Sequence, residues 1–246
     1  MRQGLFDVWY CRTKWNIFPV HHWRIVWMLP PKTASTSIRL ALAAALGLPT
    51  DNVHELREFQ GFHRDDAIAH KEDHGYLVVG STRHPLLRLA SCWADKIPSA
   101  HFYAEFTTFD EFIPDMSFVD FVDAVAQIPD EDAEPHFRSL SFDLLHDGAI
   151  VPDLLLEQGT LGADWNRVRA EVAWRTSPSI WLPDLTVQRP SSWRRRVGEV
   201  PDRTLAMIHE RYADDFAAFG YSDNLDDSRQ LLRASALPTH SGRRAT

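Results

Sequence analysis

Pro30 and Pro31 stop an apolar run and hand the chain to a helix. The run, residues 23–29 (WRIVWML), is compact and rich in strand formers, so it reads as a buried strand. Pro31 disfavours helical backbone at Pro30, and a loop must begin there. Ser35, Thr36 and Ser37 then offer N-caps for a helix over residues 38–46, which Gly47 and Pro49 close. The order repeats. Residues 76–80 form a second strand, residues 81–84 a loop, and Pro85 opens a helix that Pro98 ends. A proline is harmless in a first helical turn, because its missing N–H would be unpaired anyway. Residues 151–157 read as a further strand and 161–174 as the helix after it. Residues 117–128 place Phe118, Phe121, Val122 and Val125 on one helical face, and a long last helix spans 201–219 before Gly220. Strand, loop and helix in this order predict an α/β fold, three layers (α/β/α) around a central parallel sheet. Ligands would then bind at the carboxyl ends of the strands.

Composition narrows the partners. The 246 residues suit a single domain, here 1–222, with 223–246, rich in Ser, Asp and Arg, expected to be a flexible tail. A net charge of −8 argues against nucleic acid, whose phosphates call for a basic surface. Cys11 and Cys92 are too few for a disulfide framework or a Cys-rich zinc site, and no cluster has metal-ligand spacing, so no metal is expected. No stretch approaches the roughly 18 apolar residues of a membrane span, and the first residues lack a signal peptide's apolar core. These features predict a cytoplasmic protein.

The chemistry concentrates in two of the strand-to-helix turns. Pro31-Lys32-Thr33-Ala34-Ser35-Thr36-Ser37 brings one ammonium and four hydroxyls to a helix N-terminus, where free N–H groups and the macrodipole favour an anion. It lacks the glycines of the GxxxxGK[ST] phosphate loop. Taken alone, it is also compatible with a capped helix and a solvated lysine. The next turn, Arg83-His84-Pro85-Leu86-Leu87-Arg88-Leu89-Ala90-Ser91, offers a guanidinium that can fork onto a second phosphate, and a hydroxyl two turns into the helix.

Together these segments resemble the sulfotransferases that use 3′-phosphoadenosine 5′-phosphosulfate (PAPS). PKTASTS is similar to their 5′-phosphosulfate loop, especially in heparan-sulfate 2-O-sulfotransferase, and RHPLLRLAS to their 3′-phosphate motif. Residues 88–96, RLASCWADK, resemble the chondroitin and GalNAc 4-O-sulfotransferases. Weaker likenesses run through 109–112, 117–121, Glu134-Pro135-His136, Leu155-Leu156-Glu157 and 212–221. Two positions depart from the pattern: Ala34 stands where many relatives have Gly, and Thr82 where an apolar residue is common. The family's Golgi members carry an N-terminal anchor, so a soluble bacterial-type relative fits better.

The resemblance implies a P-loop-NTPase-like sulfotransferase fold, PAPS as donor and 3′-phosphoadenosine 5′-phosphate (PAP) as product. Pro31, Lys32, Thr33, Ala34, Ser35, Thr36 and Ser37 would hold the 5′-phosphosulfate, with Lys32 stabilising the leaving oxygen. Arg83 and Ser91 would hold the 3′-phosphate. Ser192, Arg194 and Arg195, in a run with Arg189 and Arg196, would belong to a loop that closes over the cofactor, unless the run is a solvated face. His136 and Arg138 would line the acceptor cleft. The general base is expected to be His63, twenty residues before Arg83, with His54, His70, His74 and Glu58 as competitors. A P-loop-type nucleotide or small-molecule kinase, or a silent PAPS- or PAP-binding protein, are the alternatives. The acceptor remains open among saccharide, lipid-linked glycan, polyketide and peptide tyrosine. Charge offers one hint. Residues 105–164 hold fifteen acids and one base, Arg138, whereas residues 1–50 hold six bases and one acid. That asymmetry favours a neutral or basic acceptor hydroxyl over a polyanion.

Overall fold

The computed structural model describes residues 16–59, 61–98, 112–175, 181–185, 197 and 199–236. Its central sheet has the order β1 (Ile17–Val20), β2 (Ile25–Met28), β3 (Leu77–Thr82), β6 (Leu154–Glu157). β2, β3 and β6 run parallel, with Val26 opposite Val78 and Thr82 opposite Glu157. The sheet is mixed rather than purely parallel, because β1 turns back through Arg24 and pairs antiparallel with β2. β4 (Leu145–His146) and β5 (Ala149–Ile150) form a separate hairpin.

The strands alternate between two cores, as their pleat dictates. Ile25, Trp27, Leu77, Val79 and Leu156 point to one side. There they meet Ile38 and Leu42 of α1 (Ser35–Ala45), and Trp165 and Val168 of α6 (Leu161–Arg175). Val26, Met28 and Val78 point to the other side, against Ala67 of α2 (Arg64–His74) and Leu140 and Leu144 of α5 (Leu140–Leu144). Each fully buried aliphatic side chain of this kind contributes about 1.5–3 kcal/mol, so the strand ends that carry the loops are firmly held. Gly80 is required in β3: a Cβ there would lie 2.5 Å from Cγ of Pro152.

A third core joins α3 (Pro85–Lys96), α4 (Phe118–Ala126), α7 (Asp202–Arg211) and α8 (Ala213–Phe219) through Leu89, Trp93, Phe121, Ile208 and Phe216. Three expectations change. The long last helix is two helices, because Tyr212, at φ −116° and ψ 26°, leaves helical backbone and donates its hydroxyl to the Phe137 carbonyl at 2.5 Å. Helix α1 begins at Ser35, with Ala34 at the cap, so Ser35, Thr36 and Ser37 form its first turn rather than capping it. Within the segment read as a tail, α9 (Leu225–Ala236) is helical, and Leu225 and Leu232 pack on the third core.

Candidate active site

The loop after β2 is held in an uncommon conformation. Lys32 and Ala34 both have positive φ, 68° and 69°, on either side of Thr33. Left-handed backbone costs a non-glycine residue roughly 1–2 kcal/mol, so other contacts must impose it. Thr33 is fully buried; its hydroxyl donates to the Pro30 carbonyl at 2.6 Å and meets Ser81 Oγ at 2.5 Å. Arg88 Nε donates to the Pro31 carbonyl at 3.0 Å, and Arg83 to the Lys32 carbonyl at 3.1 Å. Four side chains thus clamp a turn that delivers the chain into α1.

Helix α1 starts with no side-chain cap and no acid in its first turn. The Ala34 side chain has no atom that can accept a hydrogen bond, so the first-turn N–H groups have no side-chain cap and, with the positive end of the dipole, suit an anion. Ser35 is buried, Ser37 half-buried and Thr36 exposed, with Thr36 Oγ1 2.9 Å from His54 Nε2. Lys32 lies at the loop's tip. Its ammonium donates to Asp95 Oδ2 at 2.6 Å. Burial would push the Asp95 carboxyl up, but Lys32 holds it below the usual carboxylate range.

Helix α3 supplies the second wall. Arg88, Ser91 and Asp95 recur at helical spacing and share a face, and the contacts of Arg88 and Asp95 turn that face toward the loop. Ser91 is buried there, and Arg83, at the end of β3, is buried beside the loop. Arg88 also donates to the carbonyls of Pro135, at 2.6 Å, and of Arg138. One buried guanidinium therefore fastens the segment 135–138 to the loop after β2.

That segment carries an acid–histidine pair. His136 Nδ1 lies 2.8 Å from Glu134 Oε1, and the His136 backbone N–H donates to Glu134 Oε2 at 2.7 Å. Burial would raise the Glu134 carboxyl, yet His136 keeps it below its ordinary value. Burial lowers His136, with Lys96 and Lys32 adding to the effect and Glu134 opposing it. Arg138 donates twice to the Ala133 carbonyl and stands 3.8 Å from Asp143. Burial raises Asp143 to about 6.

The sequence candidates divide clearly. Lys32, Thr33, Ala34, Ser35, Thr36, Ser37, Arg83, Ser91 and His136 gather at the carboxyl ends of β2 and β3. Arg138 is 4% exposed and bonded to its own segment, a structural position rather than an open cleft wall. His63 precedes α2 at this same edge, because Phe62 bridges Ile17, whose partner Met28 ends β2. It caps that helix in a reciprocal box with Asp66. His74 is at the opposite edge, since α2 runs back against β3 and the His74 carbonyl accepts from Arg24 before β2. His70 sits in a ring cluster with His21, Phe62 and Tyr76. Glu58 is exposed in a short 3₁₀ turn, Arg57–Phe59, anchored by Phe59. Ser192, Arg194 and Arg195 lie outside the described residues. Asp95 and the bridging role of Arg88 were missed by sequence reasoning; the 88, 91, 95 spacing was the available signal.

An uncapped helix start beside a buried arginine after the next strand is an arrangement whose chemistry suits a phosphorylated or sulfated ligand. Residues 15–222 match the sequence model of the sulfotransferase family, and the chain belongs to that family, which uses PAPS and includes carbohydrate sulfotransferases. No curated protein and no solved structure was found to match the chain. Among the described residues no helix is long and apolar enough to cross a membrane.

Proposed function

We propose that this chain moves a sulfuryl group from PAPS to an acceptor hydroxyl on a carbohydrate or other small molecule, by in-line transfer on a P-loop-NTPase-like scaffold. The observation that carries this reading is the uncapped start of α1 with Lys32 at the loop tip and Arg83 buried beside it. The first-turn N–H groups, with Ser35, Thr36 and Ser37, would hold the donor's 5′-phosphate. Lys32 would leave Asp95 and neutralise charge on the bridging oxygen as the S–O bond breaks. Arg83 and Ser91 would take the 3′-phosphate, which distinguishes PAPS from ATP. Ser192, Arg194 and Arg195 would close over the donor.

Asp95 on Lys32 and Glu134 on His136 favour a neutral or basic acceptor. Many acids of residues 105–164 are internally committed, Asp130 to Arg211 and Asp153 to Lys71 for example, so the local pair weighs more than the total. The test is transfer of labelled sulfate from PAPS, without added metal, to neutral saccharides, amino sugars, phenols and a sulfated polymer. Labelled product with neutral or amino acceptors supports the proposal. Transfer confined to phosphate from Mg-ATP would establish a kinase instead, and PAP binding without any transfer would establish a silent binding protein.

A further inference from the structure

One histidine of this site is oriented by a carboxylate. His136 Nδ1 lies 2.8 Å and 2.9 Å from the two oxygens of Glu134, which is itself 4% exposed. A carboxylate accepts only, so Nδ1 carries the hydrogen and Nε2 the lone pair. Nε2 bonds to no described residue, and 21% of the side chain remains open to solvent. The ring is thus fixed in one tautomer, with Nε2 as its basic nitrogen and unbonded among the described residues.

Its position is fixed too. Arg88 ties Pro31, ahead of Lys32, to Pro135 and Arg138 on either side of His136. The charged groups within reach of the ring are Lys32, Asp95, Lys96 and Glu134. Burial with the two lysines lowers His136 despite Glu134, so the imidazole is neutral near pH 7, as a base must be. Of the other candidates, His54 is bonded to the Thr36 hydroxyl of the donor loop, and His63 caps α2.

We propose that His136, held by Glu134, is the general base that removes the acceptor's proton, with Glu134 as its positioning residue; the proposal rests on the sulfotransferase reading above. The acceptor O–H gives its proton to Nε2 and its oxygen forms a bond to sulfur. The bond from sulfur to the 5′-phosphate oxygen breaks, and PAP leaves with that electron pair beside Lys32. The imidazolium then returns the proton to water. The balance is alcohol plus PAPS to sulfate ester, PAP and one proton.

The experiment follows labelled sulfate from PAPS to water and to the acceptor panel in wild type, His136→Gln, Glu134→Gln and His63→Ala. General bases contribute about 10²–10⁴-fold. His136→Gln is expected to lose at least a hundredfold in kcat while keeping the thermal stabilisation by PAP, which shows that fold and donor site survive. Glu134→Gln is expected to lose roughly tenfold, with the acid limb of kcat displaced to lower pH, since the charge that favours the imidazolium is gone. The His136 ring resonance, followed by NMR, should titrate below the ordinary value of about 6.5 and fall further in Glu134→Gln. Unchanged kcat in His136→Gln, loss of PAP stabilisation in that variant, or a larger kcat loss in His63→Ala each overturns the assignment while transfer by wild type leaves the sulfotransferase reading standing. A wild-type protein that moves sulfate neither to water nor to any acceptor overturns both.

Discussion

The turn after β2 and the turn after β6 leave parallel strands at the same edge of one sheet, and each feeds a helix on the same face. After β6, carboxylates occupy the helix start. Glu157 accepts from the N–H groups of Gly159 and Thr160, while Asp164 accepts from the Glu157 N–H and the Thr160 hydroxyl. That end is neutralised by the chain itself. After β2, no acid stands in the first turn, the cap is Ala34, and the loop is strained at Lys32 and Ala34. The chain's own carboxylates fill the helix start after β6, whereas the helix start after β2 has no such partner in its first turn. The lesson is that the repeated α/β unit does not specify the site; the choice of capping chemistry does.

The largest effect expected from breaking this arrangement lies beneath the open loop. Arg88→Met removes the donor of three buried carbonyls and should destabilise the protein in urea denaturation by about 1–3 kcal/mol for each carbonyl left unpaired. Arg167→Ala, at the closed turn, removes an exposed pair with Asp164 and should change stability by less than about 1 kcal/mol. Next comes the contrast in chemistry. Lys32→Ala should lower kcat by about 10²–10³-fold in the PAPS transfer assay. Glu157→Gln should leave kcat near wild type and reduce stability by about 1 kcal/mol, the worth of a cap. The smallest effect concerns strain. Ala34→Gly should stabilise the protein by about 1 kcal/mol, read from the denaturation midpoint, because glycine accepts positive φ freely. A destabilised Ala34→Gly would mean that the loop is not strained as its backbone angles state.

Much of this contrast is legible in the residues themselves. β2, β3, β6 and the helices after them are apolar runs punctuated by Pro or Gly, and the loop shows its hydroxyls and lysine openly. Local patterning fails where long-range packing decides. β1 is four residues containing Pro19, tolerated because the strand is at an edge of the sheet. Helix α2 buries little besides Ala67 and has no apolar stripe to announce it. Within the site, Lys32 and Asp95 are 63 positions apart, and Arg88 reaches partners 47 to 57 positions away. Such pairings exist only in the folded chain, and the relation of His136 to Lys32 could not be read before them.

The central claim is that the helix start after β2 is a site for the donor's phosphates. Thermal unfolding with and without PAP, in metal-free buffer, tests it most directly. At a hundred times its Kd, PAP should stabilise the wild-type protein by about 2.7 kcal/mol, and Arg83→Ala should forfeit most of that shift. No stabilisation by PAP, with a clear response to Mg-ATP, would contradict the account.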